Sequence, residues 1–398
     1  MEPMSKIDDL IKQYCPNGVE YKELGKIVNI LDNQRRPVAR EKRKKGNIPY
    51  YGANGIQDWV EDYIFDGTFL LVGEDGSVIN KDNTPVLNWA TGKIWVNNHA
   101  HILSEKIEEA NLRYVYFILS KTDVSSIIRG MPPKLNQLNL RGIKIPVPPL
   151  PVQEEIVRIL DAFSALEAEL EAELEARKRQ YEYYRNKLLT FDENTTGGGR
   201  IKFMQLGDVG TFIRGNGLQK KDFTDTGVGC IHYGQIYTYY GTFAERTKSY
   251  VSNDLAEKLK KARTGDLIIA TTSENVEDVG KAVAWLGDED ICIGGHSFVF
   301  HHNQNPKYMA YLFQTESFFQ QKKKVVKGVK VIDITDAAMS KFKFGFPPLE
   351  EQERIVAILD KFDSLVNDIS KGLPAELTAR RQQYEYYRNK LLTFDEAV

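Results

Sequence analysis

Three groups of side chains in this 398-residue sequence could carry out chemistry, and the spacing of each argues against it. His99-x-His101 and His301-His302 could ligate a metal. A zinc site needs about four nitrogen or sulfur ligands, and no cysteine or second histidine pair stands at matching spacing. They read as strand or turn histidines. Glu274, Glu277, Asp278 and Lys281 resemble a metal-dependent nuclease cluster in residue type only; their order and spacing fit an ordinary solvated loop. Met131-Pro132-Pro133-Lys134 has the proline pair of amino-methyltransferases but lacks the preceding Asp, Asn or Ser and the following aromatic. The phosphate loop G-x-x-x-x-G-K-[ST] is also missing, because Gly92-Lys93 and Gly280-Lys281 lack the upstream glycine and the hydroxyl residue. The expectation is a chain with no catalytic residue, no metal and no cofactor of its own.

Nucleic-acid contact is better supported. Arg35, Arg36, Arg40, Lys42, Arg43, Lys44 and Lys45 crowd one short span opposed only by Glu41, just before Tyr50, Tyr51 and Asn54. Lys322, Lys323, Lys324, Lys327 and Lys330 form a second cluster around Gly328, after Phe318 and Phe319. Basic side chains on phosphates give affinity and position, while short polar side chains in loops read base edges. On charge and turn chemistry the candidate DNA-contact set is therefore Arg35, Arg36, Arg43, Lys44, Tyr50, Tyr51, Asn54, Lys134 and Asn136, then Lys220, Lys221, Tyr233, Gln235, Thr271, Thr272, Ser273, Lys324, Lys327 and Lys330. A charge run alone is usually a solvated face. Here one lies near a turn-rich segment in each half of the chain.

Those halves are the organising feature. Pro148-Pro149-Leu150 leads into Gln153-Glu154-Glu155-Ile156-Val157-Arg158-Ile159-Leu160-Asp161, and Pro347-Pro348-Leu349 into Gln352-Glu353-Arg354-Ile355-Val356-Ala357-Ile358-Leu359-Asp360. Each copy ends in QYEYYRNKLLTFDE, at Gln180–Glu193 and Gln383–Glu396. Such a period marks a tandem duplication. Apolar residues follow each Pro-Pro at helical spacing: Ile156, Ile159, Leu160, Phe163, Leu166, Leu170 and Leu174, then Ile355, Ile358, Leu359, Phe362, Leu365, Ile369, Leu373 and Leu377. About 40 residues of helix span roughly 60 Å. One narrow apolar stripe on so long a helix requires a partner helix, and the other copy is the obvious one. Gly372-Leu373-Pro374 predicts a break in the second helix, with Pro374 in the first turn of a new one. Tyr181, Tyr184 and Arg185, with Tyr384, Tyr387 and Arg388, mark a helix face expected to meet a protein partner.

Composition sets the bounds. Hydrophobic (42%) and charged (27%) shares are those of a globular protein. No run approaches the apolar length of a membrane span, the N-terminus is too polar for a secretory signal, and three cysteines without CxxC spacing fit a reducing cytoplasm. The net charge of −2 conceals a division. Residues 20–144 carry 18 basic against 15 acidic side chains and 200–343 carry 20 against 16, whereas 145–199 carry 6 against 11 and 344–398 carry 7 against 10. Basic bodies and acidic helices suit bodies that touch a polyanion.

The expected division is an N-terminal helix (1–19), a first body (20–147), a first long helix (148–193), a Gly-rich linker (194–200), a second body (201–346) and a second long helix (347–396). Gly265–Thr271 parallels Gly67–Gly73, and Ile291–Phe300 parallels Ile94–Leu103, aligning His296 with His99. Scaffold positions agree between the bodies while the residues between them differ.

On these motifs the chain resembles the specificity subunit of type I restriction–modification systems over nearly its whole length, most specifically in Pro-Pro-Leu-x-x-Gln-x-x-Ile-Val-x-Ile-Leu-Asp. The resemblance implies an α+β architecture: two α/β target recognition domains joined by two long helices in an antiparallel coiled coil, with a pseudo-twofold repeat. It implies that each domain reads half of a split site in double-stranded DNA. The helices would bind two methyltransferase subunits, to which restriction (motor–nuclease) subunits attach. S-adenosylmethionine, ATP and Mg would be used by those partners. Alternatives are a coiled-coil adaptor that binds only proteins and a stand-alone DNA-modifying enzyme.

Overall fold

The computed structural model describes residues 2–193, 200–328 and 330–397. Asn194–Gly199, most of the expected linker, lie outside the described residues. The chain forms two compact units, Met1–Glu169 with Leu377–Val398, and Leu170–Glu376.

Unit 1 is built on a six-stranded sheet in the order Val28–Ile30, Ala100–Glu105, Phe65–Gly73, Leu87–Val96, Lys45–Gly52, Gly55–Val60. Its central strand is buried from Phe69 to Gly73, as expected where both faces of a strand are covered. The Leu87–Val96 strand pairs in parallel with Lys45–Gly52. Unit 2 repeats the frame with five strands: Gly210–Arg214, Ser297–His302, Leu267–Ala270, Ala282–Trp285, Phe243–Ala244, the last pair again parallel. It adds a second sheet of Ser249–Val251, Val228–Ile231, Ile291–Ile293 and Lys260–Ala262.

Register corrects one expectation. Gly73 lies opposite Ala100, and Ala270 opposite Ser297. With His99 and His296 equivalent, Gly73 corresponds to Ala270 and Glu74 to Thr271, one residue off the parallel drawn from sequence. In a strand that slip exchanges the two faces. Apolar runs without alternation, LLV and IIA, hide it.

The Pro-Pro-Leu motif joins sheet to helix in each unit. The buried Gln153 side chain donates to the Pro148 carbonyl and accepts from the backbone N–H of Asn111, the N-cap of helix Leu112–Leu119. Gln352 does the same with Pro347 and Asn305, the N-cap of helix Pro306–Leu312. The motif's aspartates continue the clamp. Asp161 accepts from Arg113 at 2.9 Å, and Asp360 accepts from Lys307 at 2.8 Å and Tyr311 at 2.7 Å.

The first long helix is continuous over Leu150–Leu189, as its LEAE series predicts. The second is broken into Leu349–Asn367 and Leu373–Leu391, with Pro374 in the first turn of the latter. A β-carbon at Gly372 would stand 2.4 Å from the Ser364 carbonyl oxygen, so the corner requires glycine. Because the helix stops there, Ile369 leaves the expected apolar stripe and is 84% exposed.

Within unit 1 the start of the first helix runs antiparallel to the end of the chain: Glu167 pairs with Arg381, and Phe163 stacks on Tyr387 and meets Tyr384 at a tilt. Within unit 2 Tyr181 and Tyr184 stack on Phe362 in the same manner. The verbatim repeat thus packs, in each unit, against the Pro-Pro-Leu helix of the other copy. At the end of the chain Val19 and Asp395 share a backbone hydrogen bond of 2.9 Å within unit 1.

Candidate nucleic-acid interface

The first basic cluster is divided by the fold. Arg35 is folded inward, its guanidinium donating to Glu74 and to the Ala100 carbonyl. It belongs to a buried polar network. His101 sits with Nδ1 2.6 Å from Asp32 and Nε2 2.8 Å from the Leu135 carbonyl oxygen, while Asp32 also accepts from Gln137 and the Ile102 N–H. Burial pushes the Asp32 carboxyl up, but the hydrogen bond and charge of His101, together with the hydrogen bonds from Gln137 and the Ile102 N–H, hold it below its ordinary value. Asp32, Glu74 and His101 lie close enough together to hold a metal ion. Arg35 and Lys134 already neutralise Glu74, and both ring nitrogens of His101 have partners, so the donor set is spent on the fold.

Arg43 is half-buried between Asp58 and the Tyr50 ring, 4.1 Å from its centroid. Tyr50 is buried, stacked on Trp95, and accepts from the Val38 N–H; Tyr51 is buried as well. A DNA-contact role needs both rings at the surface, but they lie on the parallel-paired strand, which buries them. Arg36, Lys44 and Asn54 are exposed, Asn54 in the turn joining strands Lys45–Gly52 and Gly55–Val60. Lys42, Arg43, Lys44, Tyr50, Trp95 and Asp62 line a pocket of about 500 Å³. Lys134 is exposed beside Glu74 at 3.2 Å, and Asn136 caps helix Gln137–Arg141.

In unit 2, Lys220 and Lys221 are exposed. Gln235 is spent on the His232 N–H and the Ser249 hydroxyl, and Thr272 on His296. Thr271 is buried under the sheet end. Tyr233, Thr272 and Ser273 come together in a pocket of about 340 Å³ with Asn275 and Asp278. The lysine cluster splits: Lys322 is buried, donating to the Glu277 and Val279 carbonyls, and burial lowers its ammonium to about 8. Lys324, Lys327 and Lys330 are exposed.

The repeated helix residues expected to face a partner turn inward. Tyr181 is buried with its hydroxyl on Asp363, and Arg185 lies over its ring at 5.0 Å. Tyr184, Tyr384 and Tyr387 pack on the phenylalanine of the opposite helix of their own unit, and Arg388 lies over Tyr384. Exposed instead are Tyr183 (59%) and Tyr386 (64%). The i, i+3 spacing of Tyr181 and Tyr184 marks the buried stripe, and the tyrosine between them is the signal for the outward face.

Against known proteins, the model of the type I restriction modification DNA specificity domain matches twice, over residues 16–176 and 200–379, and the chain belongs to that family. Its place is that of a DNA specificity subunit in a type I restriction–modification system. It is 37% identical over 390 residues to a putative type I restriction enzyme specificity subunit of Haemophilus influenzae, covering 94% of this chain and 96% of that one. To the EcoR124I/EcoR124II specificity subunit of Escherichia coli it is 32% identical over 349 residues, 82% and 85% of the two chains. The fold is shared with the S subunit of the M. genitalium type I system, at a TM-score of 0.57 and 12% identity over 94% of this chain and 96% of that one. No helix among the described residues is long and apolar enough to cross a membrane.

Proposed function

We propose that each unit reads one half of a split site in double-stranded DNA, and that the paired helices set the gap between half-sites and recruit two methyltransferase subunits, through which restriction subunits attach. The observation that carries this reading is one sheet frame built twice with different loops. A common frame holds each reader in the same way, and different loops read different bases. Accessible cations supply the phosphate grip: Arg36, Lys44 and Lys134 in unit 1, with Lys220, Lys221, Lys324, Lys327 and Lys330 in unit 2. Arg35, Arg43, Tyr50, Tyr51, Asn136, Gln235, Thr271 and Thr272 act by shaping the loops, and Asn54, Tyr233 and Ser273 reach toward the bases.

The chain itself performs no bond-breaking step. S-adenosylmethionine, ATP and Mg belong to the partners, and the setting is cytoplasmic. Partner contact on the helices centres on Tyr183 and Tyr386. The test is selection from a pool of random duplexes by the chain with its methyltransferase at about 150 mM salt. Two short fixed blocks separated by a degenerate gap are expected; retention of all duplexes alike would defeat the proposal.

A further inference from the structure

Each unit carries a short closed loop at the end of its central strand, and the two share one frame. In unit 1 the backbones of Arg129 and Lys134 exchange hydrogen bonds of 3.0 and 2.8 Å, closing a loop over Gly130–Pro133. Leu135 N–H donates to the Glu74 carbonyl, Glu74 N–H to the His99 carbonyl, and Gly76 N–H to the Pro133 carbonyl, which pins the loop from below. In unit 2 Lys327 and Asp333 exchange bonds of 3.1 and 2.8 Å, Ile334 N–H donates to the Thr271 carbonyl, and Thr271 N–H to the His296 carbonyl. Each loop opens with a basic residue followed by a glycine at positive φ, Gly130 at +88° and Gly328 at +117°.

The loops hold apolar side chains in water. Met131 is 100% exposed and Val331 61% exposed. Single exposed apolar residues are ordinary. These two differ because the same anchored frame presents both, and because Arg129 and Lys134, or Lys327 and Lys330, flank them. An anchored apolar tip with cations beside it has the chemistry of a wedge between stacked base pairs, with the adjoining phosphates held on either side.

We infer that Met131 is a wedge that enters a base step of the half-site read by unit 1. The inference rests on the reading of the chain as a DNA specificity subunit. Specificity would then include the ease of unstacking that step as well as hydrogen bonds to base edges.

The experiment uses the complex of full chain and methyltransferase on its selected duplex, with 2-aminopurine placed in turn at each step of the half-site except the methylated adenine, which the methyltransferase itself unstacks. The wild-type complex should brighten at one step. Met131→Ala should abolish that rise and weaken specific binding about tenfold, without changing the dependence of log K on log salt. Met131→Leu should restore both, and Lys134→Ala should instead reduce the salt slope by about 0.9. No brightening at any step with wild type, or brightening that persists in Met131→Ala, overturns the wedge while leaving DNA specificity intact. Loss of methyltransferase assembly in Met131→Ala, with duplex discrimination unchanged, would make the tip a protein contact and also overturn it. A wild-type complex that does not discriminate among duplexes would remove the underlying reading, and the wedge with it.

Discussion

The backbone N–H of Asn111 donates to Oε1 of Gln153 at 2.9 Å, and the same side chain donates through Nε2 to the Pro148 carbonyl at 2.7 Å. One buried amide thus ties the start of a body helix to the strand exit that begins the long helix. Gln153→Leu leaves an N–H and a carbonyl without a partner, at a cost of ~1–3 kcal/mol. Urea unfolding should show an earlier transition, and Gln352→Leu should do the same through Asn305 and Pro347. Unchanged midpoints would mean that the motif's glutamine has another role.

Acid sensitivity arises at Glu155. The hydrogen bond from Arg158, reinforced by Lys6 against the opposing effect of burial, lowers its carboxyl from 4.5 to about 2. A depressed carboxylate contributes its stability above the unfolded value and loses it as pH falls through the folded value. The contribution should therefore be complete above about pH 4.5 and vanish progressively toward pH 2. Arg158 and Lys6 are largely in water, which limits it to ~1–2 kcal/mol. Glu155→Gln should flatten this part of a stability–pH curve; a curve of unaltered slope would contradict the assignment.

Helix tyrosines should separate by face. Tyr181→Ala removes the stack on Phe362 and the bond to Asp363, so it should destabilise unit 2. Tyr183→Ala and Tyr386→Ala should leave unfolding unchanged and weaken capture of the methyltransferase about tenfold or more. Equal capture by the double variant would move the partner surface elsewhere.

Phosphate grip is read by salt. Replacing Lys324, Lys327 and Lys330 together by alanine should lower affinity for all duplexes and reduce the salt slope by about 0.9 for each phosphate that is no longer neutralised. Lys322→Ala should act instead on folding, because its buried ammonium is spent on the Glu277 and Val279 carbonyls. A sequence-selective loss of affinity in the triple variant would indicate base recognition.

Sequence shows the plan of this molecule more fully than its surfaces. The duplication, the long first helix and the break before Pro374 are local or periodic features, set by spacing and by proline and glycine stereochemistry. Burial of Arg35, Tyr50 and Lys322 depends on which strands become neighbours, and a charge run does not encode that. The roles of Gln153 and Gln352 are hidden for the same reason, since the N-cap that each one holds, Asn111 or Asn305, lies more than forty residues away along the chain. The helical spacing of Tyr181 and Tyr184 suits a displayed face and a packed one equally, and only the position of Phe362 decides between them.

The proposed role of the paired helices in setting the gap between half-sites is probed most directly by deleting Leu170–Glu173. Loss of four helical residues removes about 6 Å of rise and turns the rest of the helix by about 40°. Methylated adenines would be mapped across the genome of cells carrying either chain with the same partners. Unchanged half-site sequences with an altered gap between them are expected. A changed half-site sequence, or an unsplit site with either chain, would contradict it.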